Sequence, residues 1–315
     1  MRGLWLAAVF GFAALAGVAD QKPPPQTEVR VPFWVEAGET TGPPQSFSAK
    51  LDGTAAPILA MAKPGTDEII LIVLDLTGDL SKADAARQAV AQQTRELKAN
   101  EWIGLLRAQD GLSVLVDPTA DREKVNQAFA AVPISGKAGL LDTMQQMGVI
   151  ADAMAARAPV RVSVLYITDS NIYNYREDYT NPVINSSDPH DLSRRFSDAL
   201  IRGHVSRMAE ELAAQQSPVF IVHVNYRYDR LNEAYQNGLK TLAEATGGAA
   251  IFCRSPEEIQ DGIARALASI HSEWMLTLGL PKKLPASVQL RLTATAAGGA
   301  EVRLQYRTRF SVRRR

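Results

Sequence analysis

Asp75, Thr77 and Asp79 alternate along Asp75-Leu76-Thr77-Gly78-Asp79, directly behind the apolar run 69–74. Oxygen-bearing side chains at i, i+2 and i+4 can converge on one point, the donor chemistry that a hard cation such as Mg²⁺ or Ca²⁺ takes. Another aspartate, Asp169, closes a second apolar run at 162–168. Catalytic chemistry has little support. The histidines are His190, His204, His223 and His271, and none stands at a zinc-binding spacing from another. There is no Gly-x-Ser-x-Gly elbow and no glycine-rich phosphate loop, and Leu76 interrupts what would otherwise be an Asp-Thr-Gly triplet. The chain reads as a non-enzyme.

The elements that must position these residues follow from the hydrophobic pattern. A continuous apolar run bounded by Pro64-Gly65 and Gly78 is a strand buried on both faces. The polar residues after it fall on the loop at its C-terminal end, where open α/β sheets place their ligands. Helical patterns at 81–98, 121–131, 140–156, 191–215, 230–245 and 255–272 alternate with strand patterns at 102–107, 112–116, 162–168, 219–225 and 250–253. Ser81 is the expected cap of the first helix, Ser255 with Glu258 of the last, and Gly247-Gly248 ends the fifth. This alternation predicts a doubly wound α/β fold with a mostly parallel sheet. At both ends of the chain the pattern is β. Alternating residues at 288–295 and 302–313 around Gly298-Gly299 predict a hairpin with one apolar face and one arginine face. The expected division is 1–19 leader, 20–27 linker, 28–64 N-terminal β segment, 65–272 α/β domain and 273–315 C-terminal hairpin.

A formal net charge of +0 argues against a general nucleic-acid binder, and 46% hydrophobic content supports a sizeable core. Met1-Arg2-Gly3, the apolar segment 4–18 and Gly17-Val18-Ala19 have the form of a secretory signal peptide cleaved near Ala19, so the expected location is periplasmic or secreted. Cys253 is the single cysteine, so no intrachain disulfide can form, and it is expected to pack as a small hydrophobe.

The order of elements and the polar loop after the first buried strand resemble a von Willebrand factor A (VWA) domain, and the whole chain resembles bacterial secreted VWFA-related proteins. Asp75-Leu76-Thr77-Gly78-Asp79 stands where that family has Asp-x-Ser-x-Ser, and Thr168-Asp169 matches its third-loop aspartate. The segment 135–142 stands where a Gly-Gly-Thr-Ala-Leu-Tyr-Asp type stretch supplies a threonine, and here that position is Ala138. The resemblance implies a metal-ion-dependent adhesion site, degenerate in this chain, formed by Asp75, Thr77, Asp79 and Asp169. Two occupants follow: a divalent cation held by the carboxylates, or the Lys137 ammonium in its place.

Tyrosines and arginines emerge on the same expected edge: Tyr173, Tyr175 and Tyr179 with Asn171, Asn174 and Arg176 after one strand, and Tyr226, Arg227 and Tyr228 after the next. Such residues anchor interfaces. The expected partner is another protein presenting an acidic side chain, with the arginine strip (Arg291, Arg303, Arg307, Arg309, Arg313) available to an anionic envelope surface. These features together point to an exported adhesion-like or scaffold protein that binds another protein through its sheet edge, with or without a cation. The rival readings are a metal-assisted hydrolase using Asp75, Asp79 and Asp169, and a structural module with a vestigial site.

Overall fold

Short runs broken by Gly and Pro cannot form helices, and the N-terminal segment folds as β1 (Glu28–Val35), β2 (Pro44–Leu51), β3 (Thr54–Ala56) and β4 (Ile58–Ala62). The computed structural model describes residues 27–36, 44–175, 198–281 and 283–312. The leader, Tyr179, Arg176, His190 and Arg313 lie outside them. The apolar run becomes β5 (Glu68–Asp75), with every residue buried. It is followed by α1 (Leu80–Glu96), β6 (Glu101–Arg107), β7 (Ser113–Thr119), α2 (Arg122–Ala131) and α3 (Leu140–Arg157). Next come β8 (Arg161–Thr168), α4 (Asp198–Leu212), β9 (Val219–His223), α5 (Arg230–Thr246), β10 (Ala250–Phe252) and α6 (Pro256–His271).

These strands form a sheet in the order β10-β9-β8-β5-β6-β7. All neighbours are parallel except the edge pair β6 and β7. Successive residues of β5 alternate between two helical layers, as the pleat requires. Ile69, Leu71 and Val73 pack with α3, α4 and α5, whereas Ile70, Ile72 and Leu74 pack with α1, α2 and α6. The doubly wound α/β architecture expected from the sequence is what forms.

Asp79 caps α1 by accepting the Lys82 N–H, two residues before the expected Ser81. Ser255 makes no side-chain cap, and the Glu258 carboxylate instead accepts the Arg254 N–H. Of the helix expected at 191–215, α4 is the described part.

The C-terminal segment adds β11 (Trp274–Gly279), β12 (Ser287–Ala296), β13 (Glu301–Val302), β14 (Leu304–Tyr306) and β15 (Arg309–Ser311). One sheet has the order β14-β1-β11-β4 and the other β13-β12-β2-β3. Their inner faces share a core that includes Val31, Phe33, Leu51, Leu276, Leu290 and Phe310. The expected simple hairpin is corrected here. β13 and β15 pair with β12, but the intervening β14 crosses over to β1. The arginine strip is corrected with it: Arg291, Arg303 and Arg309 are exposed, but Arg307 is 6% exposed and turned inward. Its guanidinium donates to the Gln215 carbonyl at 2.6 Å. Among the described residues, no helix is long and apolar enough to cross a membrane.

Candidate binding rim at the C-terminal edge of the sheet

β5 and β8 run in full parallel register, so their last residues, Asp75 and Thr168, are neighbours, and Asp169 follows at once. The Asp169 N–H donates to the Asp75 carbonyl at 3.3 Å. The loop after β5 therefore wraps the Asp169 side chain. Oδ1 accepts the Thr77 N–H at 2.7 Å and the Thr77 hydroxyl at 3.0 Å, and Oδ2 accepts the Gly78 and Asp79 N–H groups, both at 3.1 Å. A carboxylate has about four acceptor sites, so Asp169 is fully used by these four donors.

Asp75 has no exposure to solvent. Its Oδ1 accepts the Gly139 N–H at 2.9 Å and its Oδ2 the Thr168 hydroxyl at 2.9 Å. Burial pushes its pKa up to about 6, against the lowering effect of those hydrogen bonds. The loop that brings Gly139 here passes so close to the Ala108 carbonyl that a β-carbon at 139 would overlap it. From Thr168 a buried chain of hydroxyls continues through Ser170 Oγ (2.6 Å) to Tyr235 (2.9 Å). His223 Nε2 donates to the Ser170 carbonyl at 2.7 Å, and burial pushes the imidazole pKa down to about 4, so the ring is neutral at pH 7.

Asp79 is the carboxylate facing solvent. Ser81 and the Lys82 N–H donate to its Oδ1, and the Lys82 ammonium lies 3.2 Å from its Oδ2. These contacts hold its pKa below the usual range, led by the Ser81 hydrogen bond. Lys82 Nζ also donates to Asn225 Oδ1 at 2.6 Å, and Asn225 follows β9 by two residues. The Lys82 ammonium therefore bridges the β5 and β9 loops. The Lys137 backbone N–H donates to Asp110 at 2.8 Å. Lys82 and Asn225 were missed in the sequence, although Lys82 stands at i+3 from Asp79 on the first helical turn, a spacing that brings side chains together.

The aromatic residues divide. Tyr175 is corrected from a surface anchor to a core residue: it is 1% exposed, stacks with Tyr235 at 6.0 Å and accepts the Leu141 N–H. Tyr173 is 48% exposed and its hydroxyl donates to Asp229 at 3.2 Å. Tyr226 meets Tyr228 edge-on at 5.1 Å, with the Arg254 guanidinium 5.7 Å from the Tyr226 ring. Tyr228 is 67% exposed. Arg227 is also exposed, and its backbone N–H and carbonyl pair with the Gln236 side chain. Asn171 and Asn174 close the turn that carries Tyr173.

A divalent hard cation takes six or more oxygen ligands. Asp169 has none left to give, Asp75 is sealed from solvent, Ala138 offers a methyl group, and Asp79 already holds an ammonium. The Thr77 hydroxyl oxygen remains, beside a positive charge. This donor set does not fit a divalent cation while Lys82 stands there.

No protein-family model and no curated protein matches the chain. Solved structures do. A von Willebrand factor type A protein from Catenulispora acidiphila is 14% identical, with a TM-score of 0.45, over 91% of this chain and 74% of that one. A D319A mutant of the PilB minor pilin from Streptococcus sanguinis is 9% identical, with a TM-score of 0.48, over 69% and 63%. BatB from Bacteroides thetaiotaomicron is 13% identical, with a TM-score of 0.37, over 65% and 100%. The chain itself has a central, mostly parallel sheet with one antiparallel edge strand and helices on both faces, and an aspartate-bearing loop behind an inner strand.

Proposed function

We propose that this VWA-fold protein is an exported, non-enzymatic binding protein that captures an acidic side chain of another protein at the rim, and that Lys82 supplies the positive charge in place of a divalent cation. The observation that carries this reading is the Lys82 ammonium, fixed between Asp79 and Asn225 at the mouth of the aspartate cluster. Arg227, Arg230 and Arg254, which follow β9 and β10, are exposed, and Tyr173 and Tyr228 offer aromatic surface. Tyrosine and arginine give interfaces most of their strength, and basic groups select an acidic partner. A hydrolytic role would need a carboxylate free to activate water. The oxygens of Asp75 and Asp169 are engaged internally, and Asp79 is committed to Lys82.

The test is capture of envelope proteins on the immobilised chain, with and without EDTA, compared with Lys82→Met and Tyr228→Ala. The expected result is capture indifferent to EDTA and at least tenfold weaker in either variant, with unchanged circular dichroism. Capture that requires a divalent cation, or that survives both substitutions, overturns the reading.

A further inference from the structure

At the opposite rim of the sheet Glu68 opens β5, Glu101 opens β6 and His271 ends α6. His271 Nδ1 lies 2.9 Å from Glu68 Oε2 and 3.4 Å from Glu101 Oε1. The second oxygen of each carboxylate is held elsewhere. Glu68 Oε1 faces Arg161 Nη1 at 2.9 Å, and Glu101 Oε2 accepts the Lys98 N–H at 2.7 Å. These outer partners fix both side chains so that their remaining oxygens converge on one imidazole nitrogen, the way supporting groups orient metal ligands.

The nitrogen can carry one proton, so two anionic oxygens compete for a single N–H. Glu68 is wholly buried and Glu101 is 4% exposed, so solvent does little to relieve that competition. A divalent ion placed between the three atoms would satisfy all of them. Tetrahedral zinc with bonds of about 2.0–2.1 Å holds its ligand atoms about 3.3 Å apart, and the two separations here bracket that distance. An imidazole with two carboxylates also suits zinc better than Mg²⁺ or Ca²⁺, which favour oxygen-only shells. The His271 side chain is 29% exposed, which leaves a way in for the ion and for a water ligand.

We propose that Glu68, Glu101 and His271 form a zinc-type divalent-cation site, with water as fourth ligand, that ties the starts of β5 and β6 to the end of α6. It uses none of the residues of the aspartate rim and is independent of the reading given for that rim. Among the described residues, this is the group of His, Cys, Asp and Glu side chains whose ligand atoms converge in this way.

The experiment uses the tag-free chain, stripped with chelator and titrated with ZnCl₂ by calorimetry, with Co²⁺ as a spectroscopic substitute. One equivalent of Zn²⁺ is expected, together with the visible absorption of tetrahedral Co²⁺ and a raised Tm, while Mg²⁺ gives none of these. His271→Ala and Glu101→Gln should each abolish the Co²⁺ band and the stoichiometric uptake. No Zn²⁺ uptake by the wild-type chain, or uptake that persists in His271→Ala, overturns the proposal. The wild-type titration decides even where a variant fails to fold.

Discussion

Asp75 and Asp169 sit side by side, yet their substitution should have opposite consequences. Asp169 accepts four donors fixed by the loop, three of them backbone N–H groups. An asparagine there keeps one oxygen and turns an NH₂ group towards two N–H donors that then have no acceptor. Asp169→Asn should cost about 3 kcal/mol, read as a lowered urea midpoint. Asp75 accepts one donor on each oxygen, and the Thr168 hydroxyl can reverse to accept from an amide. Its pKa is raised from 3.8 to about 6, so the folded state binds the extra proton between those values and loses stability as pH rises through them. His223 is shifted the other way, from 6.5 to about 4, so it adds stability as pH rises over nearly the same interval. The two largely offset each other in the wild type. Asp75→Asn should therefore be more favourable relative to wild type at pH 7 than at pH 4, by about 2 kcal/mol. Urea unfolding at the two pH values measures it, and a pH-independent difference would refute the assignment of that proton to Asp75.

At the scale of elements, the aspartates act as joints between strand ends and helix starts. Gly139 begins α3 with no side-chain cap of its own, and the Asp75 carboxylate from β5 takes its N–H. A negative charge at a helix N-terminus is favourable there. The loop must pass against the Ala108 carbonyl, where a β-carbon at 139 cannot fit. Gly139→Ala should force the loop outward, break the bond to Asp75 and cost about 3 kcal/mol or more, visible as a drop in Tm. The strands that carry these joints were legible because runs such as 69–74 and 162–168 have no polar position to turn towards water. The adjacency of Asp75 and Asp169 followed from parallel register at the end of two inner strands, and the Thr77–Asp79 backbone folds over Asp169. Three details were not legible. Asp79 rather than Ser81 caps α1, because both are good cap residues and the choice depends on where Asp169 pins the loop. Tyr175 is buried because a short 3-10 turn rotates it towards Tyr235 while leaving Tyr173 outside. Lys82 reaches Asn225 across the sheet, a contact between residues 143 positions apart.

Across the described residues, the N-terminal and C-terminal strands meet in the sandwich, where β1 pairs with β11 and β14, and the α/β layer is inserted between them in sequence. The sandwich is keyed into that layer by side chains. Trp34 donates its indole N–H to the Ser269 carbonyl at 2.7 Å and packs edge-on against Phe220 at 5.9 Å. Arg30 donates to the Val160 carbonyl at 3.2 Å. Arg307, with its pKa lowered by burial to about 10, stays charged at pH 7 and donates to the Gln215 carbonyl just beyond the C-terminus of α4. A cation there is favoured by the helix dipole and also supplies orphan carbonyls with a donor. The sequence placed Arg307 on a wet face because strict alternation along 302–313 ignores the crossing of β14 to the other sheet. These contacts should make the two parts unfold together. Far-UV circular dichroism, which follows the helices, and fluorescence, which includes Trp34 and Trp274 in the sandwich, should give coincident urea transitions in the wild type. Removing both keys with Trp34→Ala and Arg307→Met should lower the midpoint, with a loss of about 3 kcal/mol or more at each site. It should also separate the two curves, with the fluorescence change first. Coincident transitions in the double variant would mean that strand pairing alone couples the sandwich to the α/β layer.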